Sequence, residues 1–332
     1  MMKRVAMIIP FDTSIKGGVV RAVKSQEVVY RILGAEVETF YASHLDDVNL
    51  ADYDLIHVHG PLKLGGILKV RRSGVPAILT IHGWVLQEAL TALKTDPGGN
   101  IHYIFKIINW ILHRLIFIRF IYRDRVTTVS EITKKKNRLR ATVIPNALIT
   151  DEIEGKVSEC PDLQGDGVTA VTYTSIGGSK VLSIQRLAEV ISEVNRKAGC
   201  RIRLLVFGES PEIEDDCIEF MGYRDDFLCH VRSADIMLLG YDMSELGYAV
   251  LEAGYLGVPV AKFRGEFEEL QDDVHGIIAE DDSEMIEKLI RFIENPSKGP
   301  VWGEKLKEHI TETRDPLRIA DKWAMFLGDI MK

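Results

Sequence analysis

Short apolar runs alternate with helical stretches along this chain, and that alternation restricts the possible folds more than any other feature. The first series is Val5 to Ile9, Val37 to Tyr41, Leu55 to His59, Ala77 to His82, Val126 to Ser130 and Val143 to Pro145. Strands covered on both faces read as continuous apolar runs, and parallel neighbours need helical crossovers between them. The series therefore predicts a doubly wound parallel sheet. A polar stretch from Ile149 to Gly167 interrupts it. A second series then follows through Ala170 to Thr174, Arg203 to Phe207, Ile236 to Leu239, Val258 to Lys262 and Gly276 to Ala279.

Two Rossmann-like domains are implied, over 1–150 and 151–314, and 332 residues suit two domains of about 150 each. Pro316 to Lys332 reads as an amphipathic helix bearing Trp323 and Phe326, so 315–332 is expected to pack back toward the N-terminal domain. In such sheets ligands bind beyond the carboxyl ends of the strands, and two facing domains create a cleft lined by loops from both. The net charge of -8 argues against a nucleic-acid partner. Cys160, Cys200, Cys217 and Cys229 contain no C-x-x-C pair and read as reduced thiols in a cytoplasmic protein.

The strongest local signal runs from Ser244-Glu245-Leu246-Gly247-Tyr248 through Glu252-Ala253-Gly254 to Leu256-Gly257-Val258-Pro259-Val260, a loop, a helix and a buried strand. A helix starting near Gly247 offers backbone N–H groups and a positive dipole end to a diphosphate, with Glu252 further along the same helix. Carboxylates accept hydrogen bonds from neighbouring hydroxyls, so Glu245 and Glu252 suit a sugar and a ribose.

This segment resembles the E-x7-E signature of the retaining glycosyltransferases of family 4, and other landmarks follow in order. Gly17-Gly18, Asp54-Leu55-Ile56-His57-Val58-His59-Gly60, Thr80-Ile81-His82-Gly83, Thr128-Val129-Ser130-Glu131 and Val143-Ile144-Pro145-Asn146 are similar to landmarks of the first half. Leu205-Val206-Phe207-Gly208-Glu209, Phe220-Met221-Gly222, Ser233-Ala234-Asp235, Glu268 and Gly276 are similar to those of the second. The resemblance implies a GT-B fold with the acceptor on the N-terminal domain and a nucleotide-diphosphate sugar on the C-terminal one. It gives the ribose to Glu252, and the sugar and diphosphate to Glu245 with the amides of Leu246, Gly247 and Tyr248. Gly17 and Gly18 would approach the donor phosphates, and His82 would lie near the transferred sugar. In this mechanism the leaving phosphate helps deprotonate the acceptor, and neither metal nor cofactor is required.

One departure stands out. The family places an Arg and a Lys against the diphosphate in a G-R-x(4)-K-G pattern, where this chain aligns Gly177 and Leu182. Lys180 is near enough to substitute, or the segment is a surface turn with a solvated lysine. The missing cations motivate a second reading, a catalytically weak or inactive nucleotide-binding partner subunit. A third is a sugar-nucleotide epimerase. Asp52-Tyr53-Asp54 has the D-x-D form of metal-dependent transferases but opens a strand.

Ile101 to Tyr122 is apolar enough to suggest a membrane span, but Lys106, Asn109, His113, Arg114 and Arg119 interrupt it. At helical spacing His102, Lys106, Asn109 and His113 form one polar stripe opposite a wide apolar face. With Arg114, Arg119, Arg123 and Arg125 this predicts either a buried helix beneath the acceptor or a membrane-surface helix that brings the enzyme to a lipid-linked sugar. A glycan or a small molecule are the other acceptor classes.

Overall fold

The computed structural model describes residues 2–10, 18–95, 100–157, 160, 163, 167–174, 179–199, 202–208, 213, 215–241 and 246–330. It divides into two compact units, 1–148 with 314–332, and 149–313.

In the first unit six parallel strands pair in the order β2-β1-β3-β4-β5-β6. They are β1 (Arg4–Ile9), β2 (Glu36–Tyr41), β3 (Leu55–Val58), β4 (Ala77–Ile81), β5 (Val126–Thr128) and β6 (Thr142–Val143). Helix α1 (Gly18–Ile32) covers one face together with the last helix, α13 (Pro316–Ile330). The core there joins Val5, Met7, Ile9, Val23 and Tyr30 to Ile319, Ala320, Trp323 and Leu327. Burying side chains of this size stabilises by about 1.5–3 kcal/mol each, which holds a sequence-distant helix in place. Helices α2 (Leu64–Ser73), α3 (Val85–Thr95), α4 (Asn100–Leu112), α5 (Ile118–Phe120) and α6 (Glu131–Asn137) complete the unit. Ile67, Val70, Trp110, Ile118 and Tyr122 pack on the other face of the sheet.

The second unit begins with α7 (Asp151–Glu154) and carries a second parallel sheet in the order β12-β11-β10-β7-β8-β9. Its strands are β7 (Val168–Thr174), β8 (Ile202–Gly208), β9 (Ile218–Gly222), β10 (Ile236–Leu239), β11 (Val260–Phe263) and β12 (Gly276–Ala279). Its helices are α8 (Ser179–Ala198), α9 (Phe227–Ser233), α10 (Tyr248–Tyr255), α11 (Asp282–Glu294) and α12 (Lys298–Arg314). At the end of β8, Gly208 has φ +103°, and a Cβ there would fall inside contact distance of the Thr174 carbonyl oxygen. Only glycine lets β7 and β8 end so closely together.

Element boundaries differ in detail from the sequence reading. His59, His82 and Ser130 lie just past their strands rather than within them. Ser130 caps α6 by accepting a hydrogen bond from the Thr133 amide. Edge strand β9 was read only as a short F-x-G element. Residues 101–120 form one continuous helix, in which a π turn at His113–Phe117 joins α4 to α5.

Candidate functional site

Chain order reverses between β7 and β10 in the second sheet and between β1 and β3 in the first. Such switch points open a crevice at the carboxyl ends of the strands, the usual ligand position in a doubly wound sheet.

In the second unit β10 leads to Gly240 and Tyr241, and after 242–245 the chain enters α10. Gly247 precedes α10 with extended backbone, φ −67° and ψ 161°, and offers no side chain as a cap. The first N–H groups of a helix have no intrahelical acceptor; here bonding to the Gly247 carbonyl begins with the Val250 amide. Leu246, just before the helix, is buried. Glu252 is only 7% exposed, on a helix that also buries Ala249, Val250, Leu251 and Ala253. A carboxylate is costly to bury, and Glu252 shares this burial with the Lys262-paired Glu268. The Tyr173 hydroxyl at the end of β7 and the Tyr241 hydroxyl after β10 are 2.7 Å apart and bridge the switch point. A Cβ on Gly247 would come within 3.3 Å of Tyr173 Oη. This tyrosine pair was missed in the sequence, where neither residue belongs to a motif. Glu245 lies outside the described residues. Lys180 falls in the first turn of α8, with its side chain outside the described part. Gly177 lies outside it too, and Leu182, where the family carries a cation, is exposed.

Gly18 opens α1 after β1, and Gly17 lies outside the described residues. At the neighbouring strand ends the structure builds a column of aromatic and hydroxyl groups. His57 Nδ1 lies 2.9 Å from Tyr30 Oη, and its Nε2 lies 2.6 Å from Thr80 Oγ1, which in turn meets Thr127 Oγ1 at 2.5 Å. His59 packs at a tilt against His57, with ring centroids 4.1 Å apart, and joins His82, Nδ1 to Nε2, at 2.9 Å. Burial pushes the His82 imidazole down to about 4 and lowers His57 and His59 well below the ordinary histidine range. All three are therefore neutral at pH 7. The sequence singled out His82 but not its bond to His59, which exists because β3 and β4 are neighbours in the sheet.

Asp54 holds the Lys3 and Arg4 amides at 2.7 and 2.9 Å, and Asp52 accepts from Asn49 Nδ2. Both carboxylates of the D-x-D segment thus serve local backbone and turn geometry. Glu268 is likewise committed, to Lys262 Nζ at 2.5 Å and the Gly265 amide at 3.0 Å.

The polar stripe along 101–122 turns inward at its far end, and the wide apolar face turns outward. Trp110 and His113 are buried, and Asn109 donates to the Leu62 carbonyl. The large apolar side chains left in solvent there are Ile101, Ile104, Phe105, Ile108, Ile111, Leu112, Leu115, Ile116 and Phe120. Among the described residues, 101–120 is the stretch long and apolar enough to cross a membrane, yet little of it is buried.

Two Rossmann-like domains in tandem, each with its crevice at the strand ends, make this chain a GT-B protein. Its whole length superimposes on solved structures of that fold. Anabaena Alr3699/HepE, in complex with UDP and glucose, matches with TM-score 0.68 and 13% identity over 99% of this chain and 100% of that one. Sucrose-phosphate synthase from Thermosynechococcus elongatus matches with TM-score 0.67 and 13% identity over 99% of each chain. Residues 29–152 match the family described as Glycosyltransferase Family 4, and residues 171–295 match Glycosyl transferases group 1. The chain belongs to the family 4-like glycosyltransferases. N-acetyl-alpha-D-glucosaminyl L-malate synthase of Bacillus anthracis is 20% identical over 305 residues, covering 84% of this chain and 75% of that protein.

Proposed function

We propose that this glycosyltransferase takes its sugar from a nucleotide-diphosphate sugar bound by the second unit and transfers it with retention of configuration, using neither metal nor cofactor. The observation that carries the reading is the buried Glu252 on α10, four residues beyond a helix start that offers only backbone. Glu252 binds the ribose hydroxyls. Glu245 and the amides of Leu246, Gly247 and Tyr248 receive the sugar and diphosphate, and Gly17 and Gly18 approach the phosphates. His82 faces the transferred sugar as a neutral imidazole. Alr3699/HepE carries UDP and glucose, so UDP-sugars come first in the search for a donor.

Calorimetry and thermal shift with UDP, GDP, ADP and their sugar conjugates test this, with Glu252→Ala beside wild type. One nucleotide should stabilise wild type and lose at least tenfold in affinity with the variant. Binding to neither protein rejects the donor assignment. The exposed Leu182 in place of a family cation favours a second reading, a nucleotide-binding partner without turnover. Nucleotide-sugar consumption by the purified chain decides between them.

The acceptor is presented at a membrane surface, as a lipid-linked sugar or glycan, with the enzyme peripheral at the cytoplasmic face. The outward apolar side of α4 and α5 supports this contact. From Asn100 to Arg123 the chain has no acidic residue and carries Lys106, Arg114, Arg119 and Arg123, a composition that suits an anionic bilayer. A second copy of the chain fits poorly, since symmetric pairing would bring these cations against one another, and interface cores are depleted in charge. Spanning fits poorly too, because Trp110 and His113 would have to leave the core.

A further inference from the structure

The bond between His59 and His82 has a consequence for tautomers. Each neutral imidazole carries one N–H. The contact from His59 Nδ1 to His82 Nε2 needs one donor and one acceptor. If His82 Nε2 donates, His82 Nδ1 is a bare acceptor and His59 keeps its proton on Nε2. If His59 Nδ1 donates, His82 carries its proton on Nδ1 and His59 Nε2 is bare. In both states the rings share one tautomer, and the two outer nitrogens present one donor and one acceptor. Those outer nitrogens, His59 Nε2 and His82 Nδ1, are buried and have no hydrogen-bond partner among the described residues. Leaving such groups unsatisfied costs about 1–3 kcal/mol each, a cost that a ligand bonding to both would remove. His57 cannot serve this way, because Tyr30 and Thr80 occupy both its nitrogens.

We propose that His59 and His82 act as one unit that binds hydroxyl groups at the carboxyl ends of β3 and β4, one ring accepting an O–H and the other donating to a hydroxyl oxygen. Hydroxyls both donate and accept, so they fit either tautomer. A phosphate or carboxylate only accepts and would leave one ring edge unpaired. The unit therefore reads sugar or acceptor hydroxyls rather than the diphosphate. His59 is thereby both a binding residue and the positioning residue that fixes the His82 ring. The inference rests on the proposed function, in which His82 faces the transferred sugar.

Histidine-specific 15N spectra of wild type, His59→Asn and His59→Phe test it, with UDP, UDP-glucose and UDP-N-acetylglucosamine as probes, beside calorimetry and turnover of the nucleotide sugar. In the ligand-free protein His59 and His82 should report the same tautomer; opposite tautomers overturn the proposal. The phenylalanine variant should keep UDP affinity within about twofold and lose at least tenfold in turnover. His59→Asn retains a polar group at the Nδ1 position, so it should keep the His82 tautomer while losing the outer contact. Outer-ring signals that move with a nucleotide sugar but not with UDP assign the hydroxyls to the donor sugar. Signals unmoved by either, with turnover lost in His59→Phe, assign them to the acceptor. Unchanged turnover in His59→Phe, or shifts caused by UDP itself, reject the hydroxyl reading. Failure of wild type to bind any of these nucleotides instead counts against the donor reading, and the tautomer result stands apart from it.

Discussion

Replacing Phe105, Leu115 and Phe120 by serine should detach the protein from anionic membranes without unfolding it. These side chains are 63%, 66% and 67% exposed, so the folded core gives up little when they are cut back. A fully inserted side chain of this size is worth about 1.5–3 kcal/mol. About two thirds of that surface is available to lipid, which leaves roughly 1–2 kcal/mol per residue, or about five- to thirtyfold in partitioning for each. Arg114 and Arg119 add about 1 kcal/mol each near an anionic surface. Arg114→Gln with Arg119→Gln should therefore weaken binding about thirtyfold, and the loss should shrink as salt rises. Co-sedimentation with phosphatidylcholine vesicles, with and without phosphatidylglycerol, measures both effects, and thermal unfolding checks that the variants remain folded. Wild type left in the supernatant with anionic vesicles would refute the reasoning, as would serine variants that sediment as wild type does. A wild-type dimer dispersed by the same serine variants in the absence of lipid would assign the face to a second copy of the chain instead.

Acidification should destabilise the fold between pH 6.5 and about 4, where the unfolded chain protonates histidines that burial keeps neutral. A depressed histidine contributes its full stability above its unfolded pKa and loses it as pH falls. His82, pushed down to about 4, accounts alone for on the order of 3 kcal/mol, and His113, also near 4, acts in the same direction. Urea unfolding at several pH values checks this, and a flat profile would count against the buried column. Trp323→Ala should cost about 3–5 kcal/mol, because the indole packs 5.0 Å from His57 and 5.8 Å from Tyr30. A loss under 1 kcal/mol in denaturant titration would mean that α13 docks only loosely. Glu252→Gln keeps the shape and removes the charge, so it should weaken nucleotide binding less than Glu252→Ala does in the same calorimetric series.

Much of the architecture could be read in the sequence because parallel strands buried on both faces leave continuous apolar runs, such as Val5 to Ile9 and Ile236 to Leu239. Edge strand β9 was not read as a strand, since Glu219 and its neighbours are partly exposed and break the run. Of the candidate site, the start of α10 was legible because Gly247 and Glu252 sit in one local motif. Pairs built across strands were not. Tyr173 with Tyr241, and His59 with His82, are joined by sheet order, which no local spacing encodes. The pattern at 101–122 is compatible with a buried helix and with a surface helix, and only the tertiary structure distinguishes them: Asn109 and His113 turn toward the domain while isoleucines and phenylalanines remain outside.

The chain passes between its two units twice, after Leu148 and again before Arg314, and the Leu148 amide donates to the Arg314 carbonyl at 2.9 Å. The second unit is one continuous segment, whereas the first encloses it and is completed only by α13. On the ribosome the order of completion is therefore inverted. The portion made first must wait, with the surface around Tyr30 and His57 uncovered, until the helix carrying Trp323 emerges, so the later-made unit can finish folding before the earlier one.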